Sequence, residues 1–194
     1  MNDFLKSKCV FLPLDRDILN FCHPFSCDDK DLDDFFQNDV INYDKQLLGK
    51  PYAFYLLNNQ KIIVCAFTLS NSSIDSRHLP NSRRKKLMEN IPHEKSLSSF
   101  PATLIGRLGV NKDFSGKGIG TELIDFLKRW LLEKENRTAC RFLTVDAYNN
   151  KKTLQYYENN SFKYLFSTEQ QEKQHIGIPE EKELKTRLLY FDLL

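Results

Sequence analysis

Residues Leu104–Gly120, LIGRLGVNKDFSGKGIG, constrain the fold more than any other stretch of the chain. An apolar run passes into a short polar turn, then into glycines spaced G-K-G-I-G, then into an amphipathic segment. That order reads as a strand feeding a glycine-rich loop that opens a helix. Gly116, Gly118 and Gly120 have no side chains, so backbone N–H groups there can approach a phosphate closely. The helix that follows adds unpaired N–H donors and the positive end of its dipole. A pyrophosphate is one guest for such a loop; a plain tight turn is the other reading of the same glycines. The loop is not a Walker loop, because no G-K-S/T closes it. No βαβ unit with an acidic ribose ligand follows, so it is not a dinucleotide fingerprint.

The flanking pattern predicts the order of elements. Ile119, Leu123, Leu127 and Trp130/Leu131 form one apolar stripe at the helical period, a core face rather than a functional one. Arg141–Ala147 reads as a strand after the break at Glu135-Asn136-Arg137, Asn149-Asn150 as a turn, and Lys151–Asn159 as a short helix. Phe162–Phe166 reads as an extended aromatic segment. Upstream, Cys9–Leu14 is a first strand. Cys27–Gln46 is a helix with Leu32, Phe35, Phe36, Val40 and Ile41 on its apolar face and Asp28 and Asp29 at its positive end. Pro51–Leu57 and Lys61–Ser70 are strands joined by Asn58-Asn59-Gln60, Ser82–Asn90 is a short basic helix, and Pro101–Val110 is the strand before the glycine loop. The polar stretch Glu169–Lys182, with Gly177 and Pro179, reads as a mobile loop between two final strands. The sum is an α+β chain with a central, mainly antiparallel mixed sheet flanked by helices.

Strand, glycine loop, helix, strand, Asn turn and a helix ending Y-Y-E-N-N-S-F resemble the GNAT superfamily of acyl-CoA-dependent N-acyltransferases. Their pyrophosphate loop, Q/R-x-x-G-x-G/A, stands here as Ser115-Gly116-Lys117-Gly118-Ile119-Gly120, with Ser115 replacing the Gln or Arg. Their second signature, N-x-x-A-x-x-x-Y-x-x-x-G-F, stands as Asn150, Thr153, Tyr157, Ser161 and Phe162. Thr153 replaces the small residue, and Ser161 the glycine. The opening Phe25-Ser26-Cys27 with Leu32-Asp33-Asp34-Phe35-Phe36, the strand Leu104–Asn111 and Val145-Asp146-Ala147 resemble a toxin-type branch. As a group that branch acetylates the α-amine of aminoacyl-tRNA, usually beside a small antitoxin. The resemblance spans roughly residues 10–194 and is looser at 70–99 and 167–182. It implies a single acyl-CoA N-acyltransferase domain over residues 1–194, with homodimers common in the family.

The resemblance also implies roles. Leu108, Gly109, Val110, Ser115, Gly116, Lys117, Gly118, Ile119, Gly120 and Thr121 fall at positions that hold acetyl-CoA. Asn150 either hydrogen-bonds the cofactor arm or only forms a turn. Tyr157 stands at the family's tyrosine, whose phenol donates a proton to the departing sulfur, with Tyr156 at a packing position; without the resemblance, a tyrosine on an apolar helix reads as core. Many relatives carry a Glu base on the strand before the loop; here Arg107 occupies its middle. Arg107 contacts the substrate or anchors the sheet, and Asp146 contacts the substrate or only makes a structural hydrogen bond. An aminoacyl α-amine is less basic than lysine and reacts through a water without a strong base, which favours that acceptor. A small amine or protein N-terminus as acceptor, and a catalytically weak acetyl-CoA-binding module, remain as alternatives.

Composition excludes other classes. Lys and Arg number 28 against 26 Asp and Glu, a net charge of +2, so no global attraction to nucleic acid is implied. The local clusters Arg83-Arg84-Lys85-Lys86, Lys151-Lys152 and Lys134/Arg137/Arg141 read as solvated surface unless they share a face. The 5 cysteines form no C-x-x-C, so free thiols are expected rather than a metal site or a disulfide framework. No apolar leader and no membrane-length apolar run is visible, which leads to the expectation of a cytoplasmic protein without membrane contact.

Overall fold

The structure is a computed structural model describing residues 3–91, 97–136 and 139–194. Arg137, grouped above with Lys134 and Arg141, lies outside the described residues. Among the described residues, seven strands form a mixed, mainly antiparallel sheet in the order β1-β2-β3-β4-β5-β7-β6. The chain forms two compact units, Met1–Ser70 with Ile105–Glu133, and Asn71–Leu104 with Lys134–Leu194.

The first unit begins with α1 (Phe4–Lys8), β1 (Cys9–Pro13) and α2 (Arg16–Phe21). Asp15 caps α2 by accepting from the Ile18 N–H. The expected long helix is present as α3 (Lys30–Asp34), a π-helical turn Phe35–Asp39, and α4 (Val40–Lys45). Asp29 caps it, accepting from the N–H groups of Asp31 and Leu32. β2 (Lys50–Leu56) pairs antiparallel with β1 and with β3 (Asn59–Asp75), and a bulge interrupts the β2–β3 ladder at Phe54/Tyr55. Phe25, Phe35, Phe36, Val40, Ala53, Tyr55 and Ile63 close one side of the core. An aromatic cluster of Phe11, Tyr52, Phe54, Phe126 and Trp130 packs beside it, linked by ring contacts with centroids 4.9–5.8 Å apart. α6 (Ile119–Trp130) supplies two of those rings and buries Ile119, Leu123 and Leu127 of the stripe read from the sequence, with Ile124 beside them, while Trp130 and Leu131 are only half-buried.

The second unit contains α5 (Asn81–Met88), the start of β4 (Ser99–Val110), β5 (Phe142–Tyr148), α7 (Lys151–Asn159), β6 (Lys163–Tyr164), α8 (Glu169–Ile176) and β7 (Thr186–Asp192). β7 lies antiparallel between β5 and β6. Phe142 is the centre of its core, edge-on to Phe100 and to Tyr190. The expected mobile loop is instead largely the helix α8. Thr168 caps it through the Gln171 N–H, and Gly177 closes it at φ 73°. A buried ion pair explains why so polar a segment is ordered: Glu172 Oε2 lies 2.7 Å from Arg187 Nε on β7. Arg83 is likewise not simply solvated, since its guanidinium donates to the carbonyls of Tyr164 and Leu165. Arg141 pairs with Asp192 at 2.8 Å.

Candidate acetyl-transfer site

In the first unit, β4 carries Arg107, Leu108, Gly109 and Val110 towards the glycine loop. Gly116 and Gly118 take φ values of 72° and 81°, which an L side chain adopts only at a cost. A Cβ at Gly116 would meet nothing within 4 Å, so the glycine there answers to backbone conformation, not to crowding by protein. Gly118 is the cap of α6, and Ile119, Gly120 and Thr121 form its first turn, where helix geometry leaves N–H groups pointing out of the N-terminus. Ser115 follows in extended conformation, its N–H donating to the Lys112 carbonyl at 3.2 Å. Lys117 Nζ donates to the Asp113 carbonyl at 2.8 Å and stands over the Phe114 ring. This is an anion-binding arrangement of backbone donors with one lysine beside it. The residues therefore suit the pyrophosphate of a coenzyme A thioester.

The F-x-C…L-D-x-F opening is tied to the same strand. Asp33 accepts from the Cys27 N–H at 2.6 Å and from Ser26 Oγ at 2.7 Å. Desolvation raises the Asp33 pKa, but these hydrogen bonds outweigh it and hold the carboxyl below its usual range. Burial, then Asp33, pushes the Cys27 thiol up to about 12, so it stays a thiol. A Cβ on Gly109 would lie 3.1 Å from the Phe25 ring and 3.2 Å from Cys27 Sγ, so a larger residue there would have to push these side chains aside.

Arg107 does not bury itself in the sheet. Its backbone N–H donates to Thr68 Oγ1 at 3.0 Å, while its exposed guanidinium stands 5.3 Å from the centre of the Phe35 ring. Phe35 and Thr68 were not singled out with Arg107 by sequence reasoning, because no spacing joins a helix residue to a strand residue so far along the chain.

In the second unit, Asp146 on β5, Asn150 and Tyr157 occur within one strand–turn–helix segment. Asn150 Oδ1 accepts from the Thr153 N–H at 2.9 Å, so the asparagine caps α7. The Tyr157 side chain is buried, between Tyr156 at 4.9 Å and Phe162 at 5.3 Å, and burial raises its pKa well above the usual phenol value. Burial therefore favours the neutral, protonated phenol. Asp146 has an exposed side chain, yet desolvation by its surroundings still raises its pKa.

The sequence matches the acetyltransferase (GNAT) family over residues 16–162. The chain belongs to the GNAT acetyltransferase family. It is an N-acetyltransferase of that family, and acetyl-CoA is the donor that the family uses. A comparison with curated proteins finds no match. Among solved structures, a tyrosine-to-phenylalanine variant of KacT is similar with a TM-score of 0.69 and 19% identity, covering 96% of each chain. AtaT in complex with acetyl-methionyl-tRNA gives 0.66 and 18%, covering 95% of this chain and 94% of AtaT. AtaTR bound with acetyl-CoA gives 0.65 and 18%, covering 96% and 94%. At these identities the likeness establishes the shared GNAT fold.

Proposed function

We propose that this GNAT acetyltransferase moves the acetyl group of acetyl-CoA to the α-amine of an aminoacyl-tRNA, and that both units act as one acyltransferase domain. The buried, protonated Tyr157 phenol at the family's tyrosine position carries the catalytic part of this reading. Gly116–Thr121 bind the pyrophosphate through backbone N–H groups. The Leu108–Val110 segment lines the pantetheine arm, and Asn150 is the residue assigned to hydrogen-bond that arm. The neutral amine attacks the thioester carbonyl, the C–S bond breaks, and Tyr157 Oη gives its proton to the departing thiolate. The proton lost by the amine leaves through water, because an aminoacyl amine is weakly basic. Arg107 and Asp146 contact the acceptor. The similarity to AtaT, solved with acetyl-methionyl-tRNA, supports the acceptor. The AtaT structure with the C-terminus of the antitoxin AtaR supports an antitoxin as partner.

Purified protein is incubated with labelled acetyl-CoA and bulk charged tRNA, with uncharged tRNA and a polyamine-plus-peptide panel alongside. Label on the aminoacyl group, lost in Tyr157→Phe, is the expected result. Transfer only to the polyamine or peptide panel overturns the tRNA acceptor and leaves a small-amine or N-terminal acetyltransferase. Binding of acetyl-CoA with no transfer to any acceptor leaves a binding module.

A further inference from the structure

Phe35 opens a single π-helical turn in the capped helix α3–α4, with the Val40 N–H donating to the Phe35 carbonyl. A π turn adds one residue to the α-helical count, and such insertions gather at functional sites. At about 100° per residue, positions eight apart on an unbroken α-helix lie about 80° apart around the axis. One inserted residue brings Phe35 and Tyr43 to about 20° of each other, two turns apart on one face. The two rings do meet edge to face, with centroids 5.4 Å apart and planes at 80°.

Tyr43 is held in turn by glycines that leave it room. A Cβ on Gly49 would lie 2.6 Å from Tyr43 Cε1, and one on Gly106 would lie 3.5 Å from its hydroxyl and 2.9 Å from Thr68 Oγ1. Thr68 is 1% exposed and holds the Arg107 N–H. Arg107 Nη1 donates to the Gly106 carbonyl at 3.2 Å, and the guanidinium covers the Phe35 ring. An exposed arginine is usually a flexible cation. This one is fixed at its backbone, at one N–H and across its face.

We propose that the π turn is a specificity device: it sets Phe35 beneath Arg107 so that the fixed guanidinium takes a phosphate of the acceptor nucleotide. The inference rests on reading Arg107 as an acceptor contact. A planar guanidinium matches a phosphate through two parallel N–H donors, and aromatic stacking fixes its plane before the acceptor arrives. The same fixed positive charge repels polyamines. Phe35 is then a positioning residue acting through Arg107.

The test uses aminoacyl-adenosine with and without its 5′-phosphate as acceptors for the full chain. Initial rates are compared for wild type, Phe35→Leu, Phe35→Tyr and Arg107→Gln, with KM for acetyl-CoA measured on each. Wild type should prefer the phosphorylated acceptor. The ratio of the two kcat/KM values should fall roughly five-fold in Phe35→Leu, as loss of a cation–π contact implies. It should persist in Phe35→Tyr and approach unity in Arg107→Gln. Equal use of both acceptors by wild type, or an unchanged ratio in Arg107→Gln, overturns the inference while leaving acetyl transfer intact. Arg107→Gln keeps the test decisive if Phe35→Leu does not fold, because that side chain is exposed. Use of neither acceptor by wild type instead sinks the aminoacyl reading on which the inference stands.

Discussion

Phe162 lies edge-on to Tyr157, with centroids 5.3 Å apart, and its N–H donates to the Tyr157 carbonyl at 3.0 Å. The Ser161 N–H donates to the Glu158 carbonyl at 2.9 Å. These two bonds and the ring contact make a Schellman end to α7. The motif that carries the proposed catalytic tyrosine is thus also a helix stop: Asn150 caps the start, Tyr157 opens the last turn, and Phe162 packs back onto it. This geometry forces the residue between Asn160 and Phe162 into the left-handed region, and Ser161 has φ 66°. The family's glycine there has a conformational cause, and serine bears the strain.

Ser161→Gly should therefore stabilise the chain. A non-glycine left-handed residue costs about 1–2 kcal/mol, and glycine returns part of that as unfolded-chain entropy, so a net gain of about 1 kcal/mol is expected. Urea unfolding monitored by circular dichroism checks it. A midpoint that stays put or falls would mean the serine hydroxyl supplies compensation.

Tyr157→Phe removes the proton donor while keeping the ring contacts to Tyr156 and Phe162. Turnover should fall by about 100-fold or more, with KM for acetyl-CoA little changed. Because burial raises the pKa, the phenol keeps its proton above the ordinary value of 10, so the alkaline limb set by Tyr157 should lie above 10. The same shift links to stability: the buried neutral phenol favours the fold fully below 10, and that contribution is lost as pH climbs past it. A wild-type kcat profile that breaks near pH 9, absent from Tyr157→Phe, would count against Tyr157 as a buried acid.

Much of this was legible in the sequence because it is local. The glycine loop, the α6 stripe, the Lys151–Asn159 helix and the succession of elements along the chain each follow from neighbours a few residues apart. The helix Cys27–Gln46 was legible as a helix, but not as one with a π turn, since Leu32, Phe35, Phe36, Val40 and Ile41 also suit an uninterrupted α-helix. Glu169–Lys182 was misread because composition alone shows polar residues, whereas a partner on β7 decides that Glu172 is 3% exposed. Long-range pairs such as Arg107 with Phe35 leave no periodic trace.

Gly118→Ala and Gly116→Ala separate conformation from ligand approach. Each forces alanine to a φ of 81° or 72°, so each should cost about 1–2 kcal/mol of stability. In Gly118→Ala the new methyl also stands at the cap of α6, beside the N–H groups proposed to hold the pyrophosphate. KM for acetyl-CoA should rise several-fold in both variants, with kcat affected less. Calorimetric titration of acetyl-CoA reads the change directly, and unaltered affinity in both would remove the loop from the cofactor site.

The buried pair of Glu172 and Arg187 makes the strongest stability prediction. Arg187 is 8% exposed; besides Glu172 Oε2 it reaches the Phe166 carbonyl at 3.3 Å and stands 4.8 Å from the Tyr164 ring centre. Glu172 Oε1 accepts from the Leu188 N–H at 2.5 Å. Arg187→Ala strands a buried carboxylate, and about 3–5 kcal/mol should be lost. Replacing both charges, as Glu172→Leu with Arg187→Met, removes the unpaired charge and should recover most of that loss. Recovery stays incomplete, because the Leu188 N–H then lacks its acceptor, a deficit of about 1–3 kcal/mol. Urea unfolding of Glu172→Leu, Arg187→Met and the double variant closes a cycle whose coupling term measures the pair. A loss below about 1 kcal/mol in Arg187→Ala would place the pair among weak surface contacts and leave the order of α8 without its cause.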